Sequence, residues 1–320
     1  MKKVAFCSPT TLVSRVGFGT SQIANTDHKY EGAKYVSLSE AREILRMAVD
    51  LGVNFFDTSP TYGNAESLIG ELKREYQERV IVATKAGLRP DGVRDFSVSF
   101  LNKEIDASLK RLGVGCLDVF QLTKPSEKDL EDGKLFSFLG ELKNRGKCKY
   151  TGVIIGDIKT GYQCIKSGEV DCLQVIYHLL YQDTENLIAA AAQKGLGVII
   201  RSPLCSGLLT GNYTVQTRFA PIDGRSKFFT GQDFIKRLEK LDKIQKDISI
   251  SNKELLSFSL RFILSNPNVS LIIPAASNAR QLKELAEADE NGHPFSPIEL
   301  KSIRDVVGLH MEAGEISMQN

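Results

Sequence analysis

A chain of 320 residues exceeds what one small domain needs and suits a single α/β barrel. Apolar residues at 42% and charged residues at 25% exclude disordered and fibrous classes, and 41 Lys and Arg against 39 Asp and Glu leave a net charge of +2, no electrostatic footprint for nucleic acid or an anionic membrane. No apolar run nears the roughly 18 residues of a transmembrane helix; the run at 4–7 is too short for a signal-peptide core, and six cysteines without C-x-x-C spacing read as reduced thiols of a cytoplasmic protein, with neither a disulfide framework nor a zinc or other metal site.

Short runs at 3–6 and 12–13 predict an N-terminal hairpin on a barrel floor. β-rich runs follow at 15–18, 53–56, 80–84, 117–122, 149–154, 173–177, 197–201 and 269–273. Several are continuous Val/Ile/Phe stretches, the pattern of strands covered on both faces. Amphipathic segments of helical length lie between them. Ser37-Leu38-Ser39-Glu40 is a capping box opening a helix over 41–51, with Ile44, Leu45 and Ala48 on one face and Gly52 past its end. A helix over 100–112 puts Leu101, Ile105, Leu109 and Leu112 on one stripe and stops at Gly113; others are read at 66–76, 130–144, 158–167, 184–194, 253–264 and 279–288. Residues 206–234, with four glycines and many polar side chains, predict an extended loop at the barrel mouth. Eight strands alternating with eight helices predict one domain over 1–320, a (β/α)8 TIM barrel of the α/β class. The lack of a Gly-rich dinucleotide fingerprint after the first strand argues against a doubly wound sheet.

Barrel enzymes keep their chemistry at the C-terminal strand ends and the loops that follow. Those positions hold Gly19 and Thr20, the stretch from Asp57 through Tyr62 to Gly63, Lys85, Thr123 and Lys124, Gln174 with Tyr177 and His178, Arg201 to Leu204, and Pro274 to Asn278. A phenol with a pKa of about 10 is a poor acid at neutral pH, and a nearby ammonium favours its ionised form. A carboxylate beside that ammonium keeps it charged, so Asp57, Tyr62 and Lys85 together suit proton transfer to a carbonyl oxygen. Spacing alone fits equally a structural ion pair with a surface tyrosine. His178 is a further candidate at the mouth, and Lys124, Arg218, Arg225 and Lys227 are cations that an anionic ligand would meet.

D-T-S-P-x-Y-G-x-x-E at 57–66, V-A-T-K-A-G at 82–87, L-D-V-F-Q-L-x-x-P at 117–125, G-V-I-I-R-S-P-L-x-S-G-L-L-T-G at 197–211 and L-S-N-P-N-V-S-L-I-I-P at 264–274 resemble the aldo-keto reductase superfamily, in order and over nearly the whole chain. The resemblance implies a barrel that holds NADP or NAD across its mouth and reduces an aldehyde or ketone, a sugar-like carbonyl among them. The family's catalytic aspartate, tyrosine and lysine fall on Asp57, Tyr62 and Lys85; its histidine falls on Thr123. For the cofactor it implies Gly19, Thr20 and Asp57 near the nicotinamide, Gln174 on the carboxamide, Arg201 against the ring, and Ser202, Leu204 and Gly207 at the pyrophosphate. Ser277, Gln281 and Glu284 fall at the 2′-phosphate and adenine end.

Three departures accompany the match. Thr123 offers a hydroxyl but no acid near pH 7. The family's carboxamide-binding Ser-Asn becomes Ile154-Ile155. Ser277 replaces the basic residue that selects the phosphate, and Leu285 replaces the adenine-contacting asparagine, with Arg280 as a partial substitute. These departures support an alternative: an impaired barrel that senses cofactor or binds partners, as the potassium-channel β subunits of this family do.

Overall fold

A computed structural model describes residues 1–23, 36–221, 223–290 and 293–311. Among these residues, eight parallel strands form one sheet in chain order: β3 (Phe18–Gly19), β4 (Phe55–Asp57), β5 (Ile81–Ala86), β6 (Leu117–Thr123), β7 (Cys148–Ile154), β8 (Cys172–Ile176), β9 (Gly197–Arg201) and β10 (Leu271–Ile272). A parallel bridge from Val16 to Ile272 closes the ring, and the Gly17 and Gly19 amides donate to the Ile272 and Pro274 carbonyls at 2.8 Å. Closure removes both sheet edges. The first strand begins later than its apolar run, because Arg15 and Val16 bond both the hairpin and β10.

The expected hairpin is β1 (Lys3–Phe6) against β2 (Ser8–Ser14), antiparallel. Phe6 and Val13 enter the barrel floor and pack with Phe55, Ala83, Val119, Cys172, Ile199 and Leu271. The strands' period of two explains what comes next. Phe56, Phe120, Leu173 and Ile200 turn outward into the shell of helices. One residue further, Asp57, Lys85, Gln121, Gln174 and Arg201 return to the interior, so an apolar floor layer lies under a polar one.

The helices are α1 (Leu38–Asp50), α2 (Ala65–Tyr76), α3 (Val98–Leu112), α4 (Glu127–Glu131), α5 (Lys134–Asn144), α6 (Ile158–Ser167), α7 (Glu185–Gln193), α8 (Gly231–Asp247), α9 (Leu255–Leu264), α10 (Ala279–Glu290) and α11 (Pro297–His310). The Ser37–Glu40 capping box forms, and Ala41, Ile44, Leu45, Ala48 and Val49 are buried. One sequence expectation is corrected. The helix over 130–144 is broken: α4 ends after a capping box of its own, and Gly133, left-handed at φ 71°, restarts the chain as α5. The expected long loop after the seventh barrel strand runs from β9 to α8, and its described residues are packed rather than open. A 3-10 turn over Cys205–Thr210 starts it, α8 ends it, and Tyr213, Phe219, Phe229 and Phe234 form a mutual aromatic cluster between them. Four aromatic side chains bury enough area to fold a polar, Gly-containing stretch.

Candidate active site

Lys85 Nζ donates to Asp57 Oδ1 at 2.5 Å, and both side chains are nearly sealed from solvent, at 6% and 4% exposed. Asp57 Oδ2 accepts from Gln121 Nε2 at 3.1 Å and from Gln174 Nε2 at 3.0 Å, and Gln174 Nε2 also reaches Gln121 Oε1 at 3.1 Å. A buried carboxylate is tolerated only when its charge is paired and its remaining lone pairs are occupied. Both conditions are met. Burial pulls the Lys85 ammonium toward neutrality, but the Asp57 charge and the Tyr62 phenol outweigh it, and its pKa ends above 10.5.

Tyr62 stands on the turn after β4. Its amide donates to Ser59 O at 3.0 Å, its carbonyl accepts from Ala65, and Gly63 takes φ 49°, a left-handed value that favours glycine. That turn leaves the phenol half-buried at the mouth with Lys85 Nζ 5.1 Å from its ring centroid. Behind the strand, buried Glu66 on α2 accepts from Thr84 Oγ1 at 2.6 Å and Arg111 Nε at 2.5 Å. Thr84 is Lys85's neighbour, so this ion pair ties α2 and α3 to the strand that carries the lysine.

The structure therefore brings Asp57, Tyr62 and Lys85 together as the motif spacing implied. Thr123 ends β6, half-buried, two residues above Gln121 on the same face. Gln121 is the residue the sequence reading missed. Its signal was present: counting back by two from Thr123 on a strand gives Gln121 and then Val119 as interior positions. Gln121→Leu is expected to lower stability by about 1–3 kcal/mol, because a buried acceptor on Asp57 loses a donor. Gln121→Glu is expected to cost more, by setting a second carboxylate against Asp57. Urea unfolding midpoints measure both.

Around this centre the expected cofactor positions divide into two groups. Gly19 and Thr20 bind the barrel together, the Thr20 hydroxyl donating to Asp57 O at 3.0 Å. Arg201 lies over the polar layer; burial lowers its pKa to about 10 against the pull of Tyr62, Asp57 and Tyr181, and its Nε has no hydrogen-bond partner among the described residues. After it, Ser202 (φ 53°), Cys205 (φ 49°), Ser206 (φ 51°) and Gly207 (φ 97°) are left-handed, in a tight turn where Cys205 N donates to Ser202 O at 3.0 Å and Gly207 N to Leu204 O at 2.9 Å. Gly207 has no alternative, since a Cβ there would lie 2.3 Å from Tyr213 Oη. Leu204 is half-buried beside this turn.

The distant end differs. Gln281 Oε1 accepts from both Ser277 N (2.9 Å) and Ser277 Oγ (3.1 Å), Asn278 Oδ1 accepts from Gln281 N, and Glu284 pairs with Arg280 at 2.9 Å. Ser277, Gln281 and Glu284 meet as expected, but they bond one another and Arg280 within the first turns of α10. Leu285 is 3% exposed and belongs to the core. Ile154 and Ile155 are also buried and offer no polar side chain near Gln174.

Two expectations fail. His178 does not stand open at the mouth: it is fully buried, burial pushes its pKa down to about 3, and neither ring nitrogen has a partner among the described residues. Its backbone pairs with that of Tyr181, the His178 amide donating to Tyr181 O at 3.0 Å. Arg218 and Arg225 are engaged inside the strand-β9 loop, Arg218 on the Val215 and Thr217 carbonyls and Arg225 on Asp223 and the Phe219 ring. The six cysteines, all among the described residues, form no disulfide, and burial pushes the Cys148, Cys164 and Cys205 thiols up to about 12.

Fold and site define a (β/α)8 barrel with a buried lysine–carboxylate pair under a tyrosine at its mouth. The model of the Aldo/keto reductase family matches residues 15–307, and the chain belongs to that family, among oxidoreductases. It is 30% identical to the aldo-keto reductase str7 of Strobilurus tenacellus over 86% of this chain and 83% of that one. It is 27% identical to the NADH-specific methylglyoxal reductase of Escherichia coli, covering 89% and 92%. The structure of the glycerol dehydrogenase AKR11B4 from Gluconobacter oxydans superposes with a TM-score of 0.79 at 25% identity, covering 96% of this chain and 95% of that one. No helix among the described residues is long and apolar enough to cross a membrane.

Proposed function

We propose that the protein, as one barrel domain over 1–320, reduces an aldehyde or ketone to an alcohol with a nicotinamide dinucleotide, NADH or NADPH, and that Tyr62 is the proton donor. The observation that carries this reading is the Asp57–Lys85 pair beneath Tyr62. The residues present fit such a cofactor: the buried Nε of Arg201, at the end of β9, has no partner among the described residues, and the turn holding Ser202, Leu204 and Gly207 follows it directly. Arg201, Gln174, Ser202, Leu204 and Gly207 would hold it, and when bound it supplies the hydride.

The chain's own residues do the rest. Tyr62 Oη gives its proton to the carbonyl oxygen as that oxygen becomes an alkoxide, and recovers it in the reverse direction. Lys85, kept charged by Asp57, stabilises the phenolate left behind. Gln121 and Gln174 keep Asp57 in place by its second oxygen. The Thr123 hydroxyl donates one hydrogen bond to substrate where the family has a histidine, without acting as an acid. Ile154 and Ile155 pack rather than hydrogen-bond, which leaves Gln174 to receive the carboxamide.

At the adenine end the side chains of Ser277, Gln281 and Glu284 already have partners, and of the two cations on the first turns of α10, Arg280 and Lys283, Arg280 is exposed and paired with Glu284. NADH is therefore expected to bind within about tenfold of NADPH, and Ser277→Arg is expected to favour NADPH by about tenfold through a charged hydrogen bond. The chain contains no tryptophan, so titrations are read from the emission of the reduced nicotinamide. No binding of either cofactor at millimolar concentration would remove this reading. Binding without turnover of any carbonyl compound would favour the cofactor-sensing barrel, for which Thr123 and the Ile154–Ile155 pair argue.

A further inference from the structure

Glu66 touches none of the groups that would react, yet at 0% exposure it is the most deeply buried carboxylate among the described residues. It is the second residue of α2, four after Tyr62, whose carbonyl accepts from Ala65 N at 2.9 Å where the helix begins. Glu66, Gly70 and Lys73 recur at helical spacing and share one face of α2. A Cβ at Gly70 would lie 2.7 Å from Leu112 O and 2.9 Å from Arg111 O, so α2 lies backbone to backbone against the end of α3. Lys73 Nζ donates to Asp118 Oδ2 and Val80 O, both at 2.6 Å, which ties one end of α2 to the starts of β5 and β6. Glu66 ties the mouth end: Oε1 accepts from Thr84 Oγ1 at 2.6 Å and Oε2 from Arg111 Nε at 2.5 Å.

We infer that Glu66, acting through Thr84, is a positioning residue that fixes the Tyr62 phenol relative to the Lys85 ammonium. The inference rests on the carbonyl-reduction reading above. Tyr62 and Lys85 ride on different pieces of chain, the turn entering α2 and the strand β5, with Nζ 5.1 Å from the ring centroid. The Glu66–Thr84 bond joins those pieces one residue from Lys85 and four from Tyr62. Stability alone does not call for a charge here, because well-packed apolar residues often replace a buried ion pair without loss. Apolar contact is non-directional, whereas a hydrogen bond weakens steeply with misalignment. Catalysis depends on such direction, since a misplacement of about 1 Å can cost about 10²-fold.

The test measures kcat and KM on a panel of aldehydes and ketones, butanal and glyceraldehyde among them, with NADH and NADPH. Thr84→Val keeps the shape and removes the donor; it is expected to lower kcat by about 10- to 100-fold with each KM within about threefold of the parent. Thr84→Ser keeps the hydroxyl and is expected to retain most of the rate. Glu66→Leu is expected to fall as far as Thr84→Val; if it does not fold, Thr84→Val decides alone. Leu139→Ala, in the core under α5, is expected to lower the urea midpoint and leave kcat unchanged. In a Tyr62→Phe background, Thr84→Val is expected to lower the residual kcat by no more than about threefold, because no proton donor remains to be positioned. Parent-like kcat in Thr84→Val, a change confined to KM, a full multiplicative loss in the Tyr62→Phe background, or an equal loss in Leu139→Ala overturns the inference and leaves carbonyl reduction standing. No turnover of the panel with either cofactor, or a Tyr62→Phe variant as active as the parent, overturns the parent reading and this one with it.

Discussion

Tyr62→Phe is expected to lower kcat by about 10²- to 10⁴-fold, the range that a positioned general acid contributes. The Kd for reduced cofactor is expected to stay nearly the same. The phenol oxygen acts on the substrate carbonyl, so its loss removes stabilisation that exists mainly in the transition state. Phenylalanine keeps the ring over which Lys85 Nζ sits 5.1 Å from the centroid, and the backbone turn around Ser59, Gly63 and Ala65 does not depend on the hydroxyl. The variant therefore separates chemistry from folding. Steady-state rates on any carbonyl compound the parent reduces, together with a cofactor titration, check both halves. A variant as active as the parent would end Tyr62's role and leave the family resemblance as a statement of ancestry.

Fold and site differ in how far the sequence exposes them. The barrel was legible because strands covered on both faces are written as continuous apolar runs, such as Val198 to Ile200, and because each polar residue that ends a run marks a mouth position. Asp57 and Lys85 are legible for that reason. Gln121 lies inside the strand run 117–122, where only the period of two from Thr123 marks it as interior, and the register of β5 on β6, which sets Lys85 opposite Gln121, places it in the polar layer. Helix breaks depend on single backbone choices: nothing in an apolar stripe over 130–144 requires Gly133 to turn left-handed. Helices α8 and α11 lie outside the eight strand–helix units, so a barrel count does not call for them, although α11 opens with its own capping box, Ser296 with Glu299. His178 was placed correctly along the chain and wrongly in depth. Which way a residue just past a strand end points is fixed by the turn it enters, here the pairing with Tyr181, and no periodicity extends that far. The same holds for Ser277, Gln281 and Glu284, whose motif positions were legible while their bonds to one another and to Arg280 were not.

Lys85→Met is expected to be severe in two separable ways. Turnover is expected to fall at least as far as in Tyr62→Phe, because no charge remains to stabilise the phenolate. Stability is expected to fall by about 3–5 kcal/mol, since removing one partner of a buried ion pair leaves the other charge uncompensated. Asp57 would keep only the two glutamine donors on Oδ2 and lose its contact on Oδ1. The double variant Asp57→Asn, Lys85→Met removes that stranded charge, so it is expected to regain much of the lost stability while remaining inactive. This non-additivity is the signature of direct coupling, and urea unfolding of the parent, the single variants Asp57→Asn and Lys85→Met, and the double variant measures it. The pH dependence follows from the raised pKa of Lys85. A cation whose pKa is higher folded than unfolded contributes stability that is complete below the unfolded value and is lost as pH rises through the folded one. The parent is therefore expected to keep this contribution through neutral pH and to lose it only above 10.5, whereas Lys85→Met lacks it throughout. Equal stabilities for the parent, Lys85→Met and the double variant at neutral pH would show that the pair contributes nothing to holding the barrel mouth together.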